Sequence, residues 1–317
     1  MRKLIIKRLA LGLLTLFLIS LIVFAALLAL PGDAATAILG RQATPERLAA
    51  LRDQLNLNDS VVSQYLQWVG GVLTGSFGTS AATQQPVSEL LSARVGNSGF
   101  LVLIAALVAI PMSIALGVWM AMRRDRPVDH VGSTVSLVLA ALPEFVIGIA
   151  LILLFATSVF HWFPAVSLIA PGERAWDVPD AVVLPAATLV IAVVPYISRI
   201  MRGSMIEVLE SDYVTMARLK GLPEREVIWR HAVPNAIVPA IQVAALQMAW
   251  MAGGIVVVEF VFSYPGIGAA LVDAVKNQDM PVVQTVTMLA AGIYVLLNLV
   301  ADVLTIMVTP KLRTAAR

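Results

Sequence analysis

Apolar residues run almost unbroken through six stretches of the chain, and polar residues collect between them. Stretches 9–30, 99–122 and 236–258 carry no charge, 131–160 carries only Glu144, and 282–309 only Asp302. Stretch 181–198 is the shortest, and Pro185 and Pro195 interrupt it. Crossing the hydrocarbon layer takes about 20 apolar residues at ~1.5 Å each. The pattern therefore predicts an all-α integral membrane protein with six transmembrane helices. It also divides the chain into a first span (1–30), a polar segment (31–98) and a core of five further spans (99–317), with a long polar connection at 199–235.

Composition agrees. Hydrophobic residues make up 59% and charged residues 13%, with a mean hydropathy of +0.87, against roughly 25% charged residues in soluble domains. The basic residues are unevenly placed. The N-terminus, the connection near Arg123, Arg124 and Arg126, the 199–235 connection and the C-terminus hold sixteen of the 22 Lys and Arg residues. Translocated loops are depleted in both types. The reading is a bacterial cytoplasmic-membrane protein with both termini in the cytoplasm, as an even span count requires. A cleaved signal peptide ending near Ala34-Ala35-Thr36-Ala37 is the rival for the N-terminus. Signal cores run about 7–15 residues, whereas stretch 9–30 is longer, so the first span is expected to stay attached. The chain has no cysteine and three scattered histidines, which leaves no thiolate chemistry and no local metal pair.

Segment 31–98 falls on the outer, periplasmic side. Thr44-Pro45-Glu46 reads as a helix start, with a capping hydroxyl, proline at the first helical position and an acid in the first turn. Leu48, Leu51 and Leu55 then share a face, and Tyr65 and Trp68 lie on a second helical stretch. Two roles fit: a cap packed on the membrane surface, or a docking lip for a soluble partner outside. The glycine-rich run from Gly71 to Gly78 lacks the lysine and hydroxyl residue of a P-loop. It reads as a loop, and no nucleotide site of that kind is expected on this chain.

Connection 199–235 is the most informative. Ile206, Leu209, Tyr213, Met216 and Ala217 recur at helical spacing, with Glu207, Glu210 and Asp212 between them. Lys220-Gly221-Leu222-Pro223 supplies a basic last turn, a left-handed cap and a stop. Pro223 opens a second short helix with Glu224 and Glu226 at its positive end and Arg230 and His231 at its negative end, and Pro234 is expected to stop it. Tethering between two spans disfavours a DNA-binding role, so no nucleic-acid partner is expected. A plain connector and a docking element remain. Connections are usually about 4–6 residues, and longer ordered ones usually have a function.

Tyr213-Val-Thr-Met-Ala217-Arg218-x-Lys220-Gly221-Leu222, followed by His231, Asn235 and Pro239, resembles the EAA-type coupling loop of binding-protein-dependent ABC importer permeases. The likeness is to the B-type subunit of the dipeptide/oligopeptide/nickel branch. Leu30-Pro31-Gly32-Asp33, the segment from Val258-Glu259 to Gly268, Asn298-Leu-Val-Ala-Asp302 and Thr309-Pro310-Lys311-Leu312-Arg313 extend it over nearly the whole chain. Only Ala217 and Gly221 match the generic Glu-Ala-Ala motif, and Asn56, Asn58 and 277–281 depart from the branch. The resemblance implies a non-enzymatic permease subunit. It would pair with a second homologous permease subunit, two ATP-binding subunits that carry ATP and Mg, and a periplasmic or lipid-anchored solute-binding protein, all within membrane lipid. It implies an ATPase-coupling site at Asp212, Tyr213, Ala217, Arg218, Lys220, Gly221, Pro223, His231, Pro234 and Asn235. Short peptides are the expected solute, with nickel, glutathione or another small solute as alternatives.

Three carboxylates stand in or at the edge of spans, where each costs about 2.5–3.5 kcal/mol on insertion scales and must face protein or water. Glu259 and Asp302 read best as ties to neighbouring helices. Glu144 follows a proline that frees a backbone carbonyl, and is the candidate for the solute path. A membrane-embedded enzyme or sensor is the rival class. Its support is thin, because His161 is alone and the carboxylates are far apart in the chain.

Overall fold

The computed structural model describes residues 2–28, 35, 39, 44–54, 58–170 and 172–308. The Leu30-Pro31-Gly32-Asp33 motif, the 34–37 small-residue run apart from Ala35, Leu55 and residues 309–317 lie outside these. Helices α1 (Arg2–Leu28), α2 (Pro45–Gln54), α3 (Val61–Thr74) and α4 (Val87–Met122) come first. They are followed by α5 (Pro127–Ala141), α6 (Glu144–Ile152), α7 (Asp180–Leu209) and α8 (Asp212–Leu219). The chain continues with α9 (Glu224–Val261), α10 (Ile267–Lys276) and α11 (Met280–Val308). Among the described residues, five helices are long and apolar enough to cross a membrane, and a sixth span is completed if the bent pair α5–α6 counts as one. Below, the "basic face" is the side that holds the start of α1, Arg123–Arg126 and α8.

The shortest apolar stretch became the centre of the molecule. Instead of a short interrupted span at 181–198, α7 runs for 30 residues and carries Pro185 and Pro195 inside it. It is the most enclosed of the candidate spans. Its Leu189, Val193, Ile197, Met201 and Met205 form one core with Leu101, Ala105 and Ala109 of α4 and with Ala236, Ala240 and Ala244 of α9. Gly117 lets α4 approach closely, since a Cβ there would meet Met201 and the Ser198 carbonyl. Small residues at crossings are how membrane helices gain contact without a hydrophobic driving force. Proline is tolerated because the orphaned carbonyl finds another donor. Pro185 has no N–H to offer the Ala181 carbonyl, and Ser167 Oγ donates to that oxygen at 2.6 Å instead.

The 131–160 stretch is not one straight helix. It breaks at Leu142-Pro143, and the two halves are bent by 105°. Pro143 holds an extended backbone (φ −61°, ψ 145°) before α6. The break deprives the Ala140 carbonyl of its i+4 donor, and Tyr196 of α7 donates its hydroxyl there at 3.0 Å. A π-helical turn, Leu153–Thr157, follows α6.

On the opposite face, Thr44 starts α2 as expected, with its hydroxyl accepting from the Arg47 amide at 3.3 Å. Tyr65 and Trp68 of α3 pack on Phe24 of α1 at ring-centroid distances of 5.4 and 5.9 Å, and the Tyr65 hydroxyl pairs with Ser20 Oγ at 2.7 Å. Gly75 ends α3 in the left-handed conformation, φ +77°.

Candidate functional site

The connection between α7 and α9 is a helical knuckle, and the first of its two expected helices, the amphipathic run from Ile206 to Ala217, is divided in two. The helix breaks at Glu210-Ser211, so Ile206 and Leu209 are the last turns of α7 rather than part of α8. Residues 199–209 therefore continue the span, and the separate element is α8. Its end is a Schellman turn: the Leu222 amide reaches the Ala217 carbonyl at 3.4 Å and the Gly221 amide the Arg218 carbonyl at 2.9 Å. Gly221 sits at φ +77°, a region that disfavours any Cβ.

Burial divides α8 into two faces. Val214 and Ala217 are buried together with Val227, and Val208, Leu209 and Leu222 pack around them. Tyr213 and Met216, expected on that inner face with Ala217, point outward. With Leu219, which is 77% exposed, and Trp229 they form an apolar outer surface. Asp212, Lys220, Gly221 and Pro223 are exposed beside it.

Arg218 holds the knuckle shut. It makes a two-pronged contact with Glu224, Nη2 to Oε1 at 2.7 Å and Nε to Oε2 at 3.2 Å, and Nη1 reaches the Leu209 carbonyl at 3.5 Å. One side chain thus joins the end of α7, α8 and the start of α9. The guanidinium holds the exposed Glu224 carboxyl below the usual carboxylate range.

Pro234 does not stop the second helix. Glu224–Glu226 passes into a π-helical segment, Val227–Ala232, and then directly into the long apolar run from Val233. The wider π register accommodates the residue without an N–H. Asn235 Nδ2 donates to the His231 carbonyl at 2.8 Å at the same place. The knuckle is therefore rigidly continuous with the span that follows it.

Glu259 lies at the other end of that span and is fully buried. Its Oε1 accepts from Ser98 Oγ at 2.5 Å, and its Oε2 accepts the Gly268 and Ala269 amides at 2.6 and 3.1 Å. Ser98 Oγ in turn accepts the Ile267 amide at 2.9 Å. The carboxylate thus caps the N-terminus of α10, where backbone N–H groups and the helix dipole favour negative charge. Asn97 completes the clamp. Its Nδ2 donates to the Pro265 carbonyl at 3.1 Å, its Oδ1 accepts the Ala175 amide at 3.1 Å, and its carbonyl accepts the buried Tyr264 hydroxyl at 2.7 Å. A Cβ on Gly266 or Gly268 would collide with the Glu259 carboxylate, and one on Gly268 also with the Val256 backbone.

Asp302 of α11 pairs with Arg8 Nε of α1 at 3.2 Å. Glu144 stands at the first position of α6, half-buried, with no ion pair among the described residues. The three span carboxylates are thus in three separate surroundings. Two acids were missed by sequence reasoning. Asp129, buried in the first turn of α5, takes Arg202 Nε and Nη2 at 2.5 and 2.6 Å and the Asp125 amide at 3.1 Å. Asp279 is buried against Ser80, accepting its hydroxyl and the Ala81 and Ala82 amides. The one signal for Asp129 was its place after Pro127 in a first helical turn. Nothing local links positions 199 residues apart in the chain, such as 80 and 279.

Residues 113–314 match the family described as "Binding-protein-dependent transport system inner membrane component", and residues 1–97 match the N-terminal domain of such membrane components. The chain is 37% identical over 311 residues to a probable peptide ABC transporter permease protein of Sinorhizobium fredii, covering 98% of each chain. It is 36% identical to a glutathione transport system permease protein of Salmonella choleraesuis and 34% identical to that of Escherichia coli K12, each over 310 residues and 98% of both chains. An all-helical membrane architecture, a broken span, a capped knuckle and these matches lead to one assignment: the chain belongs to the family of binding-protein-dependent transport inner-membrane components and is the permease component of an ABC importer.

Proposed function

We propose that the knuckle is the docking element through which cytoplasmic ATP-binding subunits drive this permease, and that the solute is a short peptide. The observation that carries the first part is the outward exposure of Tyr213, Met216 and Leu219 on α8, with Trp229 also exposed in the π segment that follows, on a connection held between two spans. In a monomer, such residues on a water-facing connection are an interaction surface. Arg218 ties α8 to the Leu209 carbonyl at the end of α7, and the π segment runs unbroken into α9, so a push on the knuckle reaches both spans. On this reading both termini and the knuckle are cytoplasmic, Glu259 and α10 face the periplasm, and a second permease subunit supplies the other half of the path. The names of the relatives support a peptide-type solute, with glutathione as the second reading because it is itself a peptide. ATP and Mg belong to the partner subunits.

The test is a Gly221→Trp chain assembled with its partner subunits and binding protein in liposomes. The bulky residue at a left-handed turn is expected to leave the chain in the membrane but to lower ATP-driven peptide uptake at least ~10-fold, a loss of about 1.4 kcal/mol or more in coupling. Uptake equal to wild type would overturn the docking assignment. Failure of the wild-type assembly to take up any short peptide, while its ATPase responds to another solute on the binding protein, would overturn the peptide assignment.

A further inference from the structure

Beyond Asp180 and Val183 at its other end, helix α7 is exposed along one face near its basic end. Tyr196, Arg199, Ile200, Gly203 and Glu207 are exposed or partly exposed there, and their spacing puts them on a single stripe. A cavity of about 560 Å³ opens on this stripe between α5, α7 and α9. Ser133, Tyr196, Arg199 and Arg202 supply its polar groups, and Leu137, Ile200 and Val243 its apolar wall. The two arginines are in different states. Arg202 is matched by Asp129 in a two-pronged pair. Arg199 has no ion pair among the described residues, although it lines the same cavity.

A guanidinium beside apolar walls at the edge of a membrane requires an anion or water. Its planar fork suits a carboxylate or phosphate better than a point charge would. Tyr196, three residues before Arg199 and so about 4.5 Å along the axis, holds the Ala140 carbonyl at the break, and Glu144 with its unpaired carboxylate begins the next half-helix. Arg199 thus lines a cavity one turn from the break, while Glu144 is outside that lining and has no ion pair among the described residues. The faces that read as lipid-facing differ in character: exposed Leu9, Leu13 and Phe17 of α1 and Leu103, Leu107 and Val108 of α4 are uniformly apolar.

We propose that this cavity is a station on the solute path, in which Arg199 receives the carboxylate of the transported peptide. The proposal rests on the peptide reading above and adds the residue that recognises the anionic end. The same anion chemistry could come from the phosphate of an inner-leaflet lipid, so the test must separate the two.

The assembled transporter, with its partner subunits and binding protein, is reconstituted as wild type, Arg199→Gln and Arg199→Lys. Uptake of a radiolabelled tripeptide and of its C-terminal amide is measured in vesicles with and without phosphatidylglycerol. Arg199→Gln is expected to lower uptake of the free acid about 10-fold, with little effect on the amide, and Arg199→Lys to restore only part of the loss. An equal change for acid and amide, or no change for either, overturns the carboxylate assignment while wild-type peptide uptake leaves the peptide reading standing. An equal loss that wild type reproduces on removal of phosphatidylglycerol assigns the cavity to lipid phosphate and also overturns it. No uptake of either compound by wild type sinks both readings together.

Discussion

Helix α9 ends in two very different structures, and both belong to stretches that the sequence singles out. At its basic end, Glu224 meets Arg218 in an exposed pair, three buried residues (Val214, Ala217 and Val227) form a small core, and large apolar side chains face outward. At its other end Glu259 is sealed in a clamp of Ser98, Gly268 and Ala269. The first is held by contacts that solvent weakens, the second by hydrogen bonds in a low-dielectric interior, where a missing partner is costly. A surface that must accept a partner leaves its apolar groups unsatisfied. A joint that must stay closed satisfies every polar atom. The difference accords with the docking role proposed for the knuckle and marks the clamp as the anchored end of the span.

Three experiments would break or sharpen that contrast. The largest effect is expected from Gly268→Val, whose side chain would occupy the space of the Glu259 carboxylate and the Val256 backbone. Loss of more than about 4 kcal/mol follows from such overlap in a closed site, and no monodisperse protein should be recovered in detergent. A wild-type melting curve would contradict the clamp. Next is Glu259→Ala, which strips acceptors from the Ser98 hydroxyl and the Gly268 and Ala269 amides. At roughly 1–3 kcal/mol per stranded buried group, a total near 3 kcal/mol is expected, read as a lowered thermal midpoint. A shift within the noise would mean that water replaces the carboxylate.

The smallest effect belongs to the other end. Arg218→Ala and Glu224→Ala in a double-mutant cycle should couple by less than about 1 kcal/mol, as exposed pairs do. The sign with pH follows from the pair. Glu224 is held below its usual pKa by Arg218, so its contribution is present above the unfolded value of about 4.3 and fades as pH falls through the lower folded value. Coupling that instead grew on acidification would contradict the pairing. A coupling of several kcal/mol would erase the contrast between the two ends.

The knuckle's turn was legible because it is local. Gly221 needs only its own φ and the neighbouring carbonyls, and the Lys-Gly-Leu-Pro order encodes both. The inner and outer faces were not legible, since Tyr213 and Met216 share the periodicity of Val214 and Ala217 closely enough that only the position of α9 chooses between them. Pro234 misled for a related reason. Proline ends a helix in isolation, but here the π segment from Val227 to Ala232 carries the chain past it.

By itself the sequence determined the class of protein, the number of apolar stretches, the absence of a P-loop and the place of the turn. Those properties depend on composition, charge bias and residues a few positions apart. Tertiary structure decided that the shortest stretch, 181–198, is the centre, that 131–160 is broken, and that Glu259, Asp129 and Asp279 are bound while Arg199 and Glu144 are not paired among the described residues. Each of these depends on which distant donor reaches a freed carbonyl or carboxylate, and hydropathy cannot encode that because a satisfied and an unsatisfied polar group read alike along the chain.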